Sequence, residues 1–133
     1  MENFPGFWQA AEQEPDKVAL QEVGGRSQTF AELYTHSNQV ARGLQAKNLG
    51  VGDSVAVLLP NCLEVFEVFF ATAQTGLYYT SINHYLSAPE IAYILDNSES
   101  KVLFVHACYR ELLSGALEPV SYTHLTLPTK RIV

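Results

Sequence analysis

The sequence predicts an α/β fold with a mostly parallel sheet. Two short, continuous apolar runs, SVAVLLP at residues 54–60 and KVLFV at residues 101–105, are typical of strands that helices cover on both faces. Segments with helix-capping signals lie between and after these runs, so strand and helix patterns alternate from Ser54 to Leu117. Alternation at this spacing predicts βαβ units, which build parallel sheets.

A helix and a β-hairpin are predicted before this alternation begins. Residues 4–13 have helical character. The segment KVALQEV at residues 17–23 predicts a strand, and residues 27–29 predict its return after a turn. Gly24 and Gly25 form that turn in the preferred interpretation, while a phosphate-binding role is the alternative.

The segment TFAELYTHSNQVARGLQAKNLG predicts the longest helix. Thr29 and Glu32 have the spacing of a capping box at its start. Apolar residues then recur at helical spacing, and Gly50 is expected to form the C-terminal cap. His36 is interpreted as an exposed polar residue, because no second metal ligand stands at a suitable spacing.

A further helix, CLEVFEVFFATAQTG, is expected to be capped by Asn61 and to end at Gly76. Its apolar residues cover most of its circumference, which predicts a largely buried helix whose phenylalanine side chains lie in the core. Glu64 and Glu67 are one helical turn apart and could be paired catalytic carboxylates. The preferred interpretation is that they form the one solvent-facing polar stripe of this helix.

The next strand is predicted at residues 78–82, and Ser87 with Pro89 is expected to begin a short helix. Asn83 and His84 follow the strand directly, at the end where open α/β sheets bind ligands. They are therefore a candidate binding site, although a polar turn is the preferred interpretation. The segment YRELLSGAL predicts the last helix.

Charge and composition exclude several classes of protein. The 133 residues carry a net charge of −6, which argues against a nucleic-acid partner. The N-terminus has no signal-peptide pattern and the apolar runs are too short to span a membrane, so a cytoplasmic location is expected. Cys62 and Cys108 match no metal or redox spacing, and each is expected to be a small buried apolar residue.

The sequence contains no recognisable catalytic constellation. It lacks a glycine-rich phosphate loop of either common type and a GxSxG elbow. Its histidines are scattered through different predicted elements. No catalytic, cofactor-binding or metal-ligating residue is therefore assigned from the sequence.

Several stretches, in the right order, resemble the start of the adenylate-forming ligases, the family of AMP-binding acyl-CoA synthetases. PDKVAL is similar to an early strand of that family and TFAEL to the start of its following helix. NQVARGLQAKNLGVGDSVAVLLPN and GLYYTSINHYLSAPEIAYILDNSESKVLF resemble the segments that come next. The resemblance covers residues 4–106, and YYTSIN favours fatty-acid or related acyl-CoA ligases over peptide-synthetase modules.

The resemblance implies a parent enzyme with a two-step reaction. A carboxylic acid would attack the α-phosphorus of ATP with release of pyrophosphate, and the CoA thiol would then displace AMP. ATP, Mg²⁺ and CoA are the implied cofactors and substrates, and in this family the phosphate loop and catalytic lysine come later in the chain. Residues 1–119 are therefore expected to be the truncated N-terminal part of the large domain, a scaffold that is inactive alone.

The C-terminal stretch VSYTHLTLPT, residues 120–129, resembles the translation of a transposase adapter used in sequencing-library preparation. Residues 120–133 are therefore expected to be a non-native, disordered tail. Two other hypotheses stay open beside the acid–CoA ligase. The chain could be a complete, small, non-catalytic α/β binding module, or part of an adenylation module that loads a carrier protein.

Overall fold

The chain builds a small parallel sheet with helices on both faces and a separate β-hairpin, as seen in a computed structural model that describes residues 6–117. The helices are α1 (Phe7–Gln13), α2 (Phe30–Ala46), α3 (Leu63–Thr75), α4 (Ala88–Asn97) and α5 (Arg110–Leu117), with a short 3₁₀ turn at Ala107–Tyr109. The strands are β1 (Val18–Gln21), β2 (Ser27–Thr29), β3 (Ser54–Leu58), β4 (Tyr78–Ser81) and β5 (Ser100–Val105).

The main sheet has the order β4-β3-β5, and both pairings are parallel. The central strand β3 is buried at every position, as its continuous apolar run predicts. The predicted mostly parallel α/β architecture is therefore confirmed for the described residues.

The two faces of the sheet pack against different helices. Val55 and Val57 belong to the core that the sheet forms with α2 and α3. Ala56 and Leu58, which alternate with them, belong to the core formed with α4 and α5. The chain therefore leaves β3 toward one face of the sheet and leaves β5 toward the other.

The hairpin and the start of α2 follow the sequence prediction. Strands β1 and β2 pair antiparallel, and Gly24 adopts a left-handed φ of 67° in the connecting turn. The capping box is complete, since the Glu32 N–H donates to Thr29 Oγ1 at 3.2 Å and the Thr29 N–H donates to Glu32 Oε1 at 3.1 Å.

The predicted cap at Gly50 is wrong, because α2 ends four residues earlier. Asn48 takes the left-handed conformation, with φ of 64°, and the Leu49 N–H donates to the Leu44 carbonyl at 3.2 Å. Asparagine tolerates this conformation better than most residues with a side chain. The Gly50 N–H instead donates to the Asp53 carboxylate at 2.8 Å.

Helix α3 ends as predicted but begins differently. Gly76 forms its C-terminal cap with φ of 74°. The N-cap residue is Cys62, not Asn61, and its side chain makes no capping bond. Helix α4 has the predicted N-cap, with Ser87 Oγ accepting from the Glu90 N–H at 3.4 Å.

The expected burial of the α3 phenylalanines is only partly correct. Phe66 and Phe69 are 44% and 46% exposed, while Phe70 stacks on Phe7 with ring centroids 3.9 Å apart. The helix therefore turns an aromatic face outward within the described part of the chain. Cys108 is also exposed, contrary to the prediction of burial.

No helix within residues 6–117 has both the length and the apolar character needed to cross a lipid bilayer. The tail predicted at residues 120–133, with its expected disorder, lies outside the described residues.

Candidate functional site

A cleft of about 630 Å³ lies at the carboxyl edge of the sheet, between the hairpin turn and the start of α3. Its volume is in the range of small-molecule sites. The cleft is lined by Gln21, Glu22, Val23 and Arg26 of the hairpin region, by Asn61, Cys62, Leu63, Val65 and Phe66 around the start of α3, and by His106 after β5.

The strand order explains why a cleft forms at this place. The segment after β3 turns toward the face that carries α3, and the segment after β5 turns toward the face that carries α5. Adjacent parallel strands whose connections diverge in this way leave a crevice between their carboxyl ends. Asn61 and His106 stand on the two sides of that divergence.

One wall of the cleft is an ionic network that joins the hairpin to α3. The Arg26 guanidinium donates to both carboxylate oxygens of Glu64, each at 2.8 Å, and to Glu22 Oε2 at 2.8 Å. Glu22 Oε2 also accepts from the Leu63 N–H at 3.0 Å. The hairpin therefore supplies the helix cap that the residues preceding α3 do not.

The charges in this network shift one another's pKa values. The Arg26 hydrogen bond is the main reason that the pKa of Glu22 falls to about 2. Burial by itself raises the pKa of Glu64, but the bonds from Arg26 outweigh it and the net shift is downward. The hydrogen bond to Glu64 and, to a smaller extent, the hydrogen bonds to Glu22 raise the pKa of Arg26.

The solvent-facing stripe predicted for α3 is wrong. Glu64 and Glu67 are only 3% and 5% exposed, and they face the hairpin rather than water. Glu67 accepts from Gln28 Nε2 at 3.4 Å, and Gln28 Nε2 also lies 2.8 Å from His36 Nδ1. His36 is thus a half-buried member of a polar cluster, which corrects its predicted exposure.

Two side chains that line the cleft, Cys62 and His106, are of types that can act as a nucleophile or a base, but their surroundings do not favour these roles. Burial, and to a smaller extent the nearby charge of Glu64, raise the pKa of the Cys62 thiol to about 11. The thiolate form, which would be the nucleophile, is therefore disfavoured. His106 Nδ1 accepts from the Cys108 N–H at 3.1 Å.

Asn83 and His84 do not line this cleft. Asn83 Oδ1 accepts from the Tyr85 N–H at 2.9 Å, and His84 stacks on Tyr109 with centroids 5.2 Å apart. The preferred interpretation of a polar turn agrees with these contacts. The cleft lies at the same edge of the sheet but beside β3 and β5 rather than β4, and nothing in the sequence revealed that β3 and β5 are neighbours.

The cleft does not fit a magnesium–triphosphate group. Among the described residues, Arg26 is the one permanently cationic side chain in its lining, and the carboxylates of Glu22 and Glu64 already bind it. Residues 6–117 contain no group of three His, Cys, Asp or Glu side chains placed to hold a metal ion. Polyphosphate binding requires positive charge that is not already neutralised by carboxylates.

Comparison with known proteins decides the family. Residues 7–130 match the family of AMP-binding enzymes. The chain belongs to that family. Its architecture is also that of the N-terminal part of adenylate-forming ligases: it superposes on the N-terminal domain of FACL13 from Mycobacterium tuberculosis with a TM-score of 0.83 and 28% identity, covering 91% of this chain and 32% of that one.

Two curated relatives of this AMP-binding chain are named as ligases. It is 35% identical over 95 residues to a fatty acid–[acyl-carrier-protein] ligase of Streptomyces coeruleorubidus, covering 71% of this chain and 18% of the relative. It is 43% identical over 75 residues to a long-chain-fatty-acid–CoA ligase of Thermus thermophilus, covering 56% of this chain and 14% of the relative. The chain thus spans less than a fifth of the length of either relative.

Proposed function

We propose that this chain is the N-terminal part of an AMP-forming acid–CoA ligase. The observation that carries the proposal is the family match across residues 7–130, on a doubly wound sheet that superposes on an N-terminal domain of the same family. The parent enzyme would activate a carboxylic acid of the fatty-acid class as an acyl adenylate. The CoA thiol would then attack the acyl carbon, with AMP as the leaving group.

Within that enzyme, residues 1–119 would act as a scaffold. The charge of the cleft supports this assignment, because Glu22 and Glu64 already neutralise Arg26, which is therefore not free to bind the phosphates of ATP. No residue of this chain is assigned to catalysis, to a cofactor or to a metal. ATP and Mg²⁺ would be held by later parts of the parent, and a cytoplasmic location is part of the same proposal.

A carrier protein is the second candidate acceptor. The specific observation in its favour is the identity of 35% to a relative named as a fatty acid–[acyl-carrier-protein] ligase. Both acceptors present the same nucleophile, a thiol, so the adenylation step is common to the two hypotheses. An assay that supplies CoA and acyl-carrier protein separately distinguishes them.

The first experiment is to sequence the source DNA outward from the codon for Glu118. We expect the reading frame to continue into a phosphate loop rich in threonine, serine and glycine, with residues 120–133 absent from the genome. The family match extends to residue 130, past the predicted start of the tail at residue 120. The genomic DNA sequence therefore decides whether the tail is native. A genomic stop codon after Val133 would instead favour the small binding module.

The second experiment expresses the extended reading frame. With ATP, Mg²⁺, CoA and a series of fatty acids, we expect pyrophosphate release and formation of an acyl-CoA thioester. Pyrophosphate release without a thioester, restored by acyl-carrier protein, would favour the carrier-loading enzyme. Absence of pyrophosphate release with every acid would contradict the proposed function.

A further inference from the structure

Three elements meet at a buried polar cluster formed by Gln28 of β2, His36 of α2 and Glu67 of α3. Gln28 and Glu67 are 3% and 5% exposed. Gln28 Nε2 lies 2.8 Å from His36 Nδ1 and 3.4 Å from Glu67 Oε2. Glu67 Oε1 lies 3.5 Å from the same histidine nitrogen.

An ionised carboxylate at Glu67 would set the hydrogen-bond roles of the other two side chains. Ionised Glu67 can only accept hydrogen bonds, so the Gln28 amide must present its NH₂ group to it. The same NH₂ group then donates its second hydrogen to His36 Nδ1. In this arrangement Nδ1 is the acceptor, which corresponds to a neutral His36 with its hydrogen on Nε2.

Protonation of His36 is incompatible with this arrangement. It would place an N–H on Nδ1 opposite the Gln28 NH₂ group at 2.8 Å, and two donors cannot bond to each other. The acceptor within reach is Glu67 Oε1, at 3.5 Å. The Gln28 carbonyl oxygen is buried without a partner.

We propose that His36 is a protonation-dependent clasp between the hairpin and the two helices beside it. In the neutral form the Gln28 amide bridges His36 and Glu67, so β2, α2 and α3 are joined. In the charged form His36 bonds directly to Glu67, so α2 and α3 stay joined while the bridge from β2 is lost. Histidine side chains in general change charge between about pH 5 and 8, so that is the range in which the clasp is to be tested.

Two carboxylates lie near His36 within the described residues. Glu67 faces it from α3, and Glu32 lies one turn earlier on α2 itself. Gln28, which faces it from β2, is uncharged, and no ion pair within the described residues joins His36 to α1 or β1. Arg26 lies on the same side of α3 but is bound to Glu22 and Glu64.

The expected response is local rather than global. The turn of the hairpin stays attached to α3 through Arg26 and through the bond from the Leu63 N–H to Glu22. Loss of the Gln28 bridge therefore loosens β2 and its junction with α2 without releasing the whole hairpin.

The test is a ¹⁵N NMR titration of the 133-residue chain between pH 8 and pH 5. We expect the Gln28 side-chain amide signal to move with the midpoint at which His36 titrates. The backbone amides of β2 should also exchange with solvent several-fold faster at the acidic end. A Gln28 signal that stays constant through the His36 titration, or that matches free glutamine at every pH, would overturn the proposal.

Two variants separate the clasp from a general effect of pH. His36→Asn places an amide oxygen where Nδ1 stood, so Gln28 keeps an acceptor that does not titrate and its signal should become independent of pH. His84→Asn, at the carboxyl edge of the sheet, should leave the Gln28 titration unchanged. A Gln28 titration that persists in His36→Asn, or vanishes in His84→Asn, would contradict the assignment to His36.

Discussion

Arg26 and Glu64 form a salt bridge whose two partners differ greatly in exposure. The Arg26 side chain is 50% exposed, whereas that of Glu64 is 4% exposed. Water can therefore solvate the guanidinium if its partner is removed, but it cannot solvate the carboxylate. The two residues should contribute unequally when each is replaced alone.

We expect Arg26→Met to lower the free energy of unfolding by about 2–3 kcal/mol, because it leaves the buried Glu64 charge unpaired. Glu64→Gln should cost only about 1 kcal/mol, because Arg26 keeps Glu22 and solvent. Urea unfolding of each variant measures both values.

Lys17→Met is the matched control, because its bond to Glu14 joins two exposed side chains and should be worth less than about 0.5 kcal/mol. Equal decreases in the free energy of unfolding for Arg26→Met and Glu64→Gln would show that the difference in exposure does not determine the effect of replacing each partner.

The lowered pKa of Glu22 predicts that the folded chain loses stability in acid. The pKa of Glu22 is lowered from an ordinary 4.5 to about 2 in the folded chain, so its contribution is complete above pH 4.5. Below that value the unfolded chain takes up the proton first, and the contribution is lost as the pH falls toward 2.

We therefore expect the urea concentration at the unfolding midpoint of the unsubstituted 133-residue chain to decrease as the pH is lowered from 4.5 to 2. In Glu22→Gln that fall should be smaller, because one of the shifted carboxyl groups is absent. The exposed Glu12→Gln is a suitable control. An unchanged acid profile in Glu22→Gln would refute the expected role of this residue.

At the scale of secondary-structure elements, two glycines should respond in opposite directions to the same substitution. Gly43 lies inside α2 with open space where a Cβ would go. Gly76 ends α3 with φ of 74°, and a Cβ there would come within 2.9 Å of the Val51 side chain.

We expect Gly43→Ala to raise the free energy of unfolding by about 0.5–1 kcal/mol, because alanine restricts the unfolded chain and favours the helix. Gly76→Ala should lower it by about 1–2 kcal/mol, because an L-residue is strained in the left-handed conformation. Thermal unfolding of the two variants under one set of conditions makes the comparison. A shift of the same sign in both would contradict the geometry of one of these positions.

For the whole molecule, we expect the 133-residue chain to release no pyrophosphate from ATP with Mg²⁺ and any fatty acid. The arginine of its cleft is already bound by two carboxylates, and its sequence contains no glycine-rich phosphate loop. The extended reading frame serves as the positive control and a heat-treated sample as the blank. Turnover by the chain above that blank would overturn the proposed scaffold role.

Local sequence signals located most of the elements. The capping box at Thr29, the cap at Ser87 and the left-handed Gly76 each depend on residues a few positions apart, so they could be predicted. The end of α2 was misplaced because Asn48, rather than a glycine, adopts the left-handed conformation.

Long-range partners explain the failures at the candidate site. The partners of Glu64 and Glu67, Arg26 and Gln28, stand 38 and 39 residues away, so a helical pattern could not show that these glutamates are buried. The location of the cleft was missed for the same kind of reason, because it depends on which strands are neighbours.

The sequence by itself determined the α/β class, the order of the helices and strands, and the resemblance to adenylate-forming ligases. These follow from periodicity, capping residues and short ordered motifs, all of which are properties of contiguous segments. Only the tertiary structure decided the placement of β3 between β4 and β5, the cleft at their carboxyl ends, and the inward orientation of Glu64 and Glu67. These features depend on contacts between residues far apart in the chain, because a buried charge is stable only where the fold brings a partner to it.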